Sequence, residues 1–543
     1  MNKRMGTFGF ISLVSATLLA QPAIANNYRA SVTADGAQLT SGSTWPGISG
    51  NGRYVTFSTG AAELDSTTRN RQLYRHDVVT GDTRTISHSA FGQPGNGETL
   101  FESTMNYDGN LVAFMSYATN LGEGAPNDIG QLYLHDVDLD ETRIVSTNSR
   151  GELGNHRSEM PRLSADGKFL AFYSLASNLV DQDTNGRSDI FLKSLDSGET
   201  RIVSRGTFGE SNAGSLDVAI SGNGDVVAFI SHASNLVADD TNGYPDAFVY
   251  YADTGEVERI SVSTDGSQGD NQSTRVAVSA NGRYVAFLSD AANLVANDAA
   301  GTRDVFIRDL KLGTTVRATE HGSGDGFDGM VIGMDISADG RYVLFESNSL
   351  AEFQVPSSGA KLFVKDMAIG DIRQVDIGLD GTSYQHSGSS VMSQDGEHFA
   401  YVSGVSNLVA DDTNALGDVF VTRAPRDSGD SADNLAPRTI TVTETVYVPV
   451  TEVVYETVYE PVYQTVEVEK IVEVETIVEV EKQVEVCAAE LAADTSDSRD
   501  NNGKHWGLHW YKDDGEHDES HSGEHPVFDN DKNRVATTGK ISK

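Results

Sequence analysis

Four stretches of the chain set two aspartates six residues apart around a tight turn. They are Asp183 and Asp189 in DQDTNGRSD, Asp240 and Asp246 in DDTNGYPD, Asp298 and Asp304 in DAAGTRD, and Asp412 and Asp418 in DDTNALGD. Asn185, Asn242 and Asn414 lie between the acids in three of them; the other has Ala300. A hard cation takes several oxygen ligands, and D-x-N-G-x-x-D offers two carboxylates and an amide around one turn, so these are candidate Ca²⁺ loops. The same residues also have a structural use. Asp and Asn close Asx turns, Gly takes positive φ, and the last Asp can accept backbone N–H groups. Both readings stand on the sequence.

Each acidic loop belongs to a longer repeat. A phrase of Ser-x-Asp/Asn-Gly and an apolar run ending near an aromatic begins at Ser49, Asn106, Ser164, Ser221, Ser279, Ser337 and Ser393. The starts are about 57 residues apart, too even for chance. Each unit parses into four strands: one before the phrase, one after its Asp/Asn-Gly hairpin, a third after the acidic loop (DVFIRDL), and a fourth (VERISVS). Four short antiparallel strands, repeated seven times, are propeller blades. The first, second and sixth units lack the leading aspartate and place Gln72, Gln131 and Lys361 at the later position. Residues 181–186 resemble the start of an EF-hand loop without its closing glutamate.

The array ends predict how it closes. The seventh unit stops after its third strand, DVFVTRA (418–424), whereas residues 28–33 read as an orphan fourth strand. A strand missing at one end and spare at the other implies ring closure that leaves no open edge. The blades resemble the TolB-type, WD-repeat-like bacterial propeller family, with S-x-D-G-x-x-V-A-F-x-S followed by D-V-F-V-x-D-L across about 28–424. That resemblance implies the fold; the family includes periplasmic and secreted binding scaffolds, and such propellers also sit beside peptidase or lyase sites. Function has to be argued from the site.

In this architecture the acidic loops and the fourth-to-first connections share one rim. His156, His321 and His386 fall in those connections, as do Phe91, Phe208, Phe327 and Tyr384. The aromatics suit either sugar or peptide contact or packing between loops. The remaining histidines (His76, His88, His135, His232, His398) are scattered, and no G-x-S-x-G or H-E-x-x-H occurs, so no catalytic residue is assigned.

The formal net charge of −39 repels phosphate backbones and excludes nucleic acid as a partner. Residues 1–25 have a basic n-region, an apolar run and an Ala23-Ile24-Ala25 cleavage site: a signal peptide, which implies export to the periplasm, the cell surface or the medium. No later stretch is long and apolar enough for a membrane-spanning helix. After the propeller (26–424), residues 425–441 read as a linker. Residues 442–487 alternate Val with Glu or Tyr, a two-faced extended stalk whose valine face needs a partner. Self-association between chains, with Cys487 placed for an intermolecular disulfide, would supply one. Residues 488–543 form an acidic, His-rich, disordered tail. His505, His509, His517, His521 and His525 recur at four-residue steps, a weak transition-metal tail. The expected protein is thus an all-β, seven-bladed propeller, a non-enzymatic scaffold for a protein, peptide or glycan ligand, with no certain cofactor beyond the Ca²⁺ candidates. The alternative is a polysaccharide lyase or hydrolase using the central pocket.

Overall fold

Apolar residues on a period of two make two-faced strands, and a glycine-bearing turn after each first strand makes its neighbour antiparallel. A computed structural model describes residues 27–125, 129–298, 302–320, 330–347, 360–379 and 389–423, and the backbone of 439–459 and 465–485. It divides into two compact units, Met1–Asp430 and Ser431–Lys543. The first unit contains seven four-stranded antiparallel sheets, each in simple sequence order apart from the last. Blade 5 is typical: Ser273–Val278 is innermost, then Tyr284–Ser289, Asp304–Asp309 and, outermost, Thr314–Arg317. Among the described residues, no helix is long and apolar enough to cross a membrane.

Outer strands are shorter than the sequence suggests. In blade 4 the outer strand is only Val257–Arg259. Once the Ile260 N–H has bonded the Ala247 carbonyl, Ser261 turns its hydroxyl back to Asp246 and the ladder ends.

The seventh sheet is built from both ends of the array. Ser390–Met392, His398–Ser403 and Asp418–Arg423 are joined by Tyr28–Arg29 at the outer edge. Tyr28 pairs with Val421 and Arg29 with Phe420, so the ring closes as expected. The Tyr28 hydroxyl also meets His76 Nε2 of blade 1 at 2.7 Å, which ties the closing strand across the seam.

The core lies between blades. Val249, Val285, Phe287 and Phe306 belong to one buried cluster drawn from blades 4 and 5. Stacked cross-strand aromatics recur, with ring centroids 5.6 Å apart for Phe229–Phe248 and for Phe287–Phe306. Each fully buried ring contributes roughly 1.5–3 kcal/mol by removal from water. The two turn residues of an Asp/Asn-Gly hairpin divide their labour. At Ser337–Gly340 only Gly340 is left-handed (φ 81°). Asp339 instead accepts the Ser337 hydroxyl at 2.7 Å and the Arg341 N–H at 2.9 Å. A Cβ on Gly340 would stand 2.3 Å from the Tyr284 ring of the preceding blade, so both backbone and packing require glycine.

In the second unit, Thr439–Tyr459 and Thr465–Glu485 pair antiparallel as a two-stranded ribbon. The register sets Val446 opposite Val478, Val450 opposite Val474 and Val458 opposite Val466. The sequence reading sought the stalk's partner in another chain; here the two halves partner each other. Residues 1–26, Cys487 and the five tail histidines lie outside the described residues, as does the linker before Thr439.

Two outcomes follow from the closure. Ser31→Ala leaves a buried Asp418 oxygen without its 2.7 Å donor and should cost about 1–3 kcal/mol in denaturant unfolding. Burial holds His76 and His135 down to about 4, below their ordinary 6.5. Between those values the unfolded chain binds protons that the folded one refuses, so this contribution is intact above pH 6.5 and is lost as pH falls toward 4. Urea titrations across that range should show His76→Gln removing about 2–3 kcal/mol of the acid-side loss.

Candidate functional site

The third strand of each blade starts on the rim that carries the acidic loops. Its first residue there accepts a hydrogen bond from a hydroxyl just past the fourth strand. Ser204 donates to Asp189 (2.6 Å), Ser261 to Asp246 (2.6 Å), Thr319 to Asp304 (2.6 Å) and Ser31 to Asp418 (2.7 Å). Each hydroxyl oxygen in turn accepts the next backbone N–H, for example Ile190 at 3.0 Å and Val419 at 3.0 Å. Glutamine does the same work in blades 1 and 2, where Ser87 donates to Gln72 (2.7 Å) and Ser146 to Gln131 (2.6 Å). Blade 6 reverses the polarity. Lys361 occupies the third-strand position and Asp376 the hydroxyl position; burial pushes Asp376 up to about 7 and lowers Lys361. The later aspartate of the repeated loop is therefore a clasp between strands.

The asparagines close the turn. Asn185 Oδ1 accepts the Arg187 N–H at 2.6 Å, Asn242 that of Tyr244 at 2.9 Å and Asn414 that of Leu416 at 2.9 Å. Their amide groups strap the loop to the following connection, on the Ser211, Gly269 and Leu39 carbonyls. The structure thus brings Asn185, Asn242 and Asn414 to the loops but spends their oxygens on backbone.

The leading aspartates differ from blade to blade. Asp240 faces Arg259 at 3.7 Å, Asp298 faces Arg317 at 2.9 Å and Asp412 faces Arg29 at 3.9 Å. Gln268 bridges Asp240 and Asp246, both at 2.9 Å; Gln38 bridges Asp412 and Asp418 at 2.8 and 3.1 Å. Blades 4, 5 and 7 therefore neutralise their loops from within the chain. In blade 3, Asp183, Asp189 and Glu210 bring carboxylate oxygens within 4.8 Å of one another. Glu210 was missed in sequence because it lies in an irregular connection; no repeat register pointed to it.

The innermost strands line a central channel. Arg162 and Glu102 pair at 2.6 Å, and the Arg162 charge holds the Glu102 carboxyl below its usual range. Asp217 accepts the Val276 N–H (2.8 Å) and Asp335 the Met392 N–H (2.9 Å), each from the next blade. Burial raises both acids, Asp335 to about 6. No histidine is among the described residues that line this channel. At the rim end of the same strands stand Trp45, Phe101, Met160, Leu216 and Ile332; Trp45 and Phe101 rings lie 5.9 Å apart across a blade boundary. Phe101, Met160, Leu216 and Ile332 are exposed, and Trp45, Phe101 and Met160 have positive φ (52°, 68° and 53°). The only sequence signal for this collar was its position four or five residues before the residue that opens each hairpin phrase, Asn106 or a serine.

Of the expected rim aromatics and histidines, Phe91, Phe208 and His156 are among the described residues. Phe91 is 90 % exposed, on a small hairpin closed by the His88–Pro94 bridge. That hairpin hangs on the outermost strand of blade 2, whose Thr142 donates to the His88 carbonyl, so it sits at the perimeter. Phe208 is likewise exposed, on the turn between Gly206 and Gly209. Neither packs between loops. His156 is exposed in a loop and accepts the Arg157 N–H; Phe327, Tyr384, His321 and His386 lie outside the described residues. His88 and His135 meet edge-on at 4.9 Å beside Asp140. His135 is a buried seam residue bonded to Thr142 at 3.0 Å, like His76 to Thr83 at 2.8 Å.

Sheet count, order and closure make this a seven-bladed β-propeller. Neither a protein-family model nor a curated protein matches the chain. Solved structures similar to it include an oligogalacturonate lyase from Vibrio parahaemolyticus, with 12% identity, 74% of this chain and 97% of that chain covered, and a TM-score of 0.46. A putative TolB from Agrobacterium tumefaciens matches at 16% identity over 65% of this chain and 97% of its own, with a TM-score of 0.35. The Kuenenia stuttgartiensis hydrazine synthase matches at 15% identity over 72% and 97%, with a TM-score of 0.38.

The Arg317–Asp298 pair gives a direct check. Both side chains are 2% exposed, so Arg317→Met strands a buried charge and should destabilise by about 3–5 kcal/mol in denaturant unfolding. The double change Arg317→Met with Asp298→Leu should recover much of the loss.

Proposed function

We propose that this chain is an exported, non-enzymatic propeller scaffold that holds a protein, peptide or glycan ligand at the mouth of its central channel, in the periplasm or at the cell surface. The observation that carries this reading is the collar of Trp45, Phe101, Met160, Leu216 and Ile332 around a channel whose acids are already engaged by Arg162 or by backbone N–H groups. Exposed apolar side chains ringing a concave site suit the apolar face of a sugar or an apolar peptide side chain. Positive φ at three of them is a strained arrangement, kept where the surrounding fold over-determines it. Export rests on the N-terminal pattern of residues 1–25. In this reading the segment after residue 424 displays the propeller, and Cys487 is placed to join chains.

A lyase or hydrolase would need a proton-transfer group free to act in the channel. Asp335, raised to about 6, is the residue that such a reading would use.

The test is binding of the full-length protein to peptide and glycan arrays, followed by calorimetry on the hits. Phe101→Gly should weaken binding at least tenfold while leaving the melting temperature unchanged or higher, because glycine relieves the left-handed backbone. Binding that survives both Phe101→Gly and Met160→Ala would remove the collar from the site. Turnover of an acidic polysaccharide that Asp335→Asn abolishes would replace the scaffold reading with the enzyme one.

A further inference from the structure

Blade 3 breaks the charge rule that its sister blades keep. In blades 4 and 7 a glutamine Nε2 bridges the two loop aspartates, and an arginine two residues before the clasp hydroxyl faces the leading one. Blade 5 keeps the arginine as Arg317. The arginine position in blade 3 is Ile202, two residues before Ser204. The glutamine position is Glu210. Glu210 Oε1 accepts the Thr184 N–H at 2.7 Å and Oε2 accepts the Thr184 hydroxyl at 2.8 Å, the bonds that Gln268 makes with Thr241 and Gln38 with Thr413. Both donors of the sister sites are thus gone: one replaced by an alkyl side chain, the other by a carboxylate that can only accept.

Three carboxylates remain, with an oxygen of each within 4.8 Å of the others. Asp183 is only 8% exposed, and its Oδ1 is buried without a hydrogen-bond partner among the described residues. We propose that Asp183, Asp189 and Glu210 bind one hard divalent cation, Ca²⁺ in the first instance, which takes the place held by Arg259, Arg317 and Arg29 in the sister blades. Oxygen-only ligands select Ca²⁺ or Mg²⁺ over softer metals, and water completes the shell. Ser204 and Asn185 hold Asp189 from behind at 2.6 and 2.9 Å, and the Thr184 and Asn185 N–H groups hold Glu210 at 2.7 and 3.1 Å. These bonds orient the ligands. The ion would pin the loop of blade 3 to the connection into blade 4. This narrows the four candidate loops of the sequence to one and adds Glu210.

The experiment is thermal unfolding of the full-length protein, stripped with EDTA and titrated with CaCl₂, with MgCl₂ in parallel. Ca²⁺ should raise the midpoint by a few degrees and saturate at one equivalent in calorimetry. Glu210→Gln installs the residue that blades 4 and 7 already accommodate, so it should fold, and it should weaken Ca²⁺ binding at least tenfold. Ile202→Arg should restore the sister charge pattern and abolish the Ca²⁺ response. Loose binding across so acidic a chain would survive both variants. The proposal is overturned if wild-type protein shows no midpoint change at millimolar Ca²⁺, or if the change persists in Glu210→Gln and Asp183→Asn.

Discussion

The propeller depends on a hydrogen bond repeated in blade after blade: a hydroxyl at the end of the fourth strand donating to the residue that opens the third. An outermost strand of two to four residues has too little ladder to hold itself. The clasp gives it a buried anchor that is costly to leave half made, and in the four blades where an aspartate accepts, the bond is charge-assisted and worth more than a neutral one. In the last blade the same bond, from Ser31 to Asp418, joins residues 387 positions apart. What is a local detail in five other blades is there the lock of the ring. Variation respects it: aspartate, glutamine, and a lysine facing an aspartate all appear, and each keeps a third-strand group bonded or charge-matched to the fourth.

The clasp has an electrostatic consequence. It places a buried acid at the base of each acidic loop, and a second acid in the loop then needs compensation. Three blades supply it with an arginine from their own outer strand. Because the solution is repeated, its absence in blade 3 is visible against an internal control, where a lone acidic cluster would mean little. The overall charge of −39 does not bear on this, since surface acids are hydrated and screened.

The same geometry separates two surfaces that the sequence merged. Among the described residues, four connections between blades fold into short hairpins, closed by the His88–Pro94, Thr147–Leu153, Val262–Gln268 and Val32–Gln38 bridges, and the first hangs on the outer strand of blade 2, so Phe91 is carried away from the channel. The residues that reach the mouth are on the innermost strands, where bulges and left-handed residues turn apolar side chains outward. The channel below them is polar but internally paired, through Arg162 with Glu102 and the Asp217 and Asp335 bonds to backbone. A ligand that met those groups would have to compete with the structure that holds adjacent blades together.

Local rules carried far in this chain. The period of about 57 residues, the Asp/Asn-Gly hairpins and the alternation of YVAFLS determined seven blades and their strand order, because they depend only on near neighbours. Closure was legible too, since a missing strand at one end and a spare at the other can be counted. Whether an aspartate is a clasp, an ion-pair partner or a cation ligand was not legible. That turns on what stands across a strand or a seam: Arg317 opposite Asp298 lies 19 residues away, and Gln38 opposite Asp412 lies 374 away. Glu210 and Ile202 carry no motif of their own; they acquire meaning only when the sheet brings them to the place where other blades keep glutamine and arginine. Sequence settled the scaffold because backbone periodicity is local, and tertiary structure decided the charges because Coulomb partners are chosen in space.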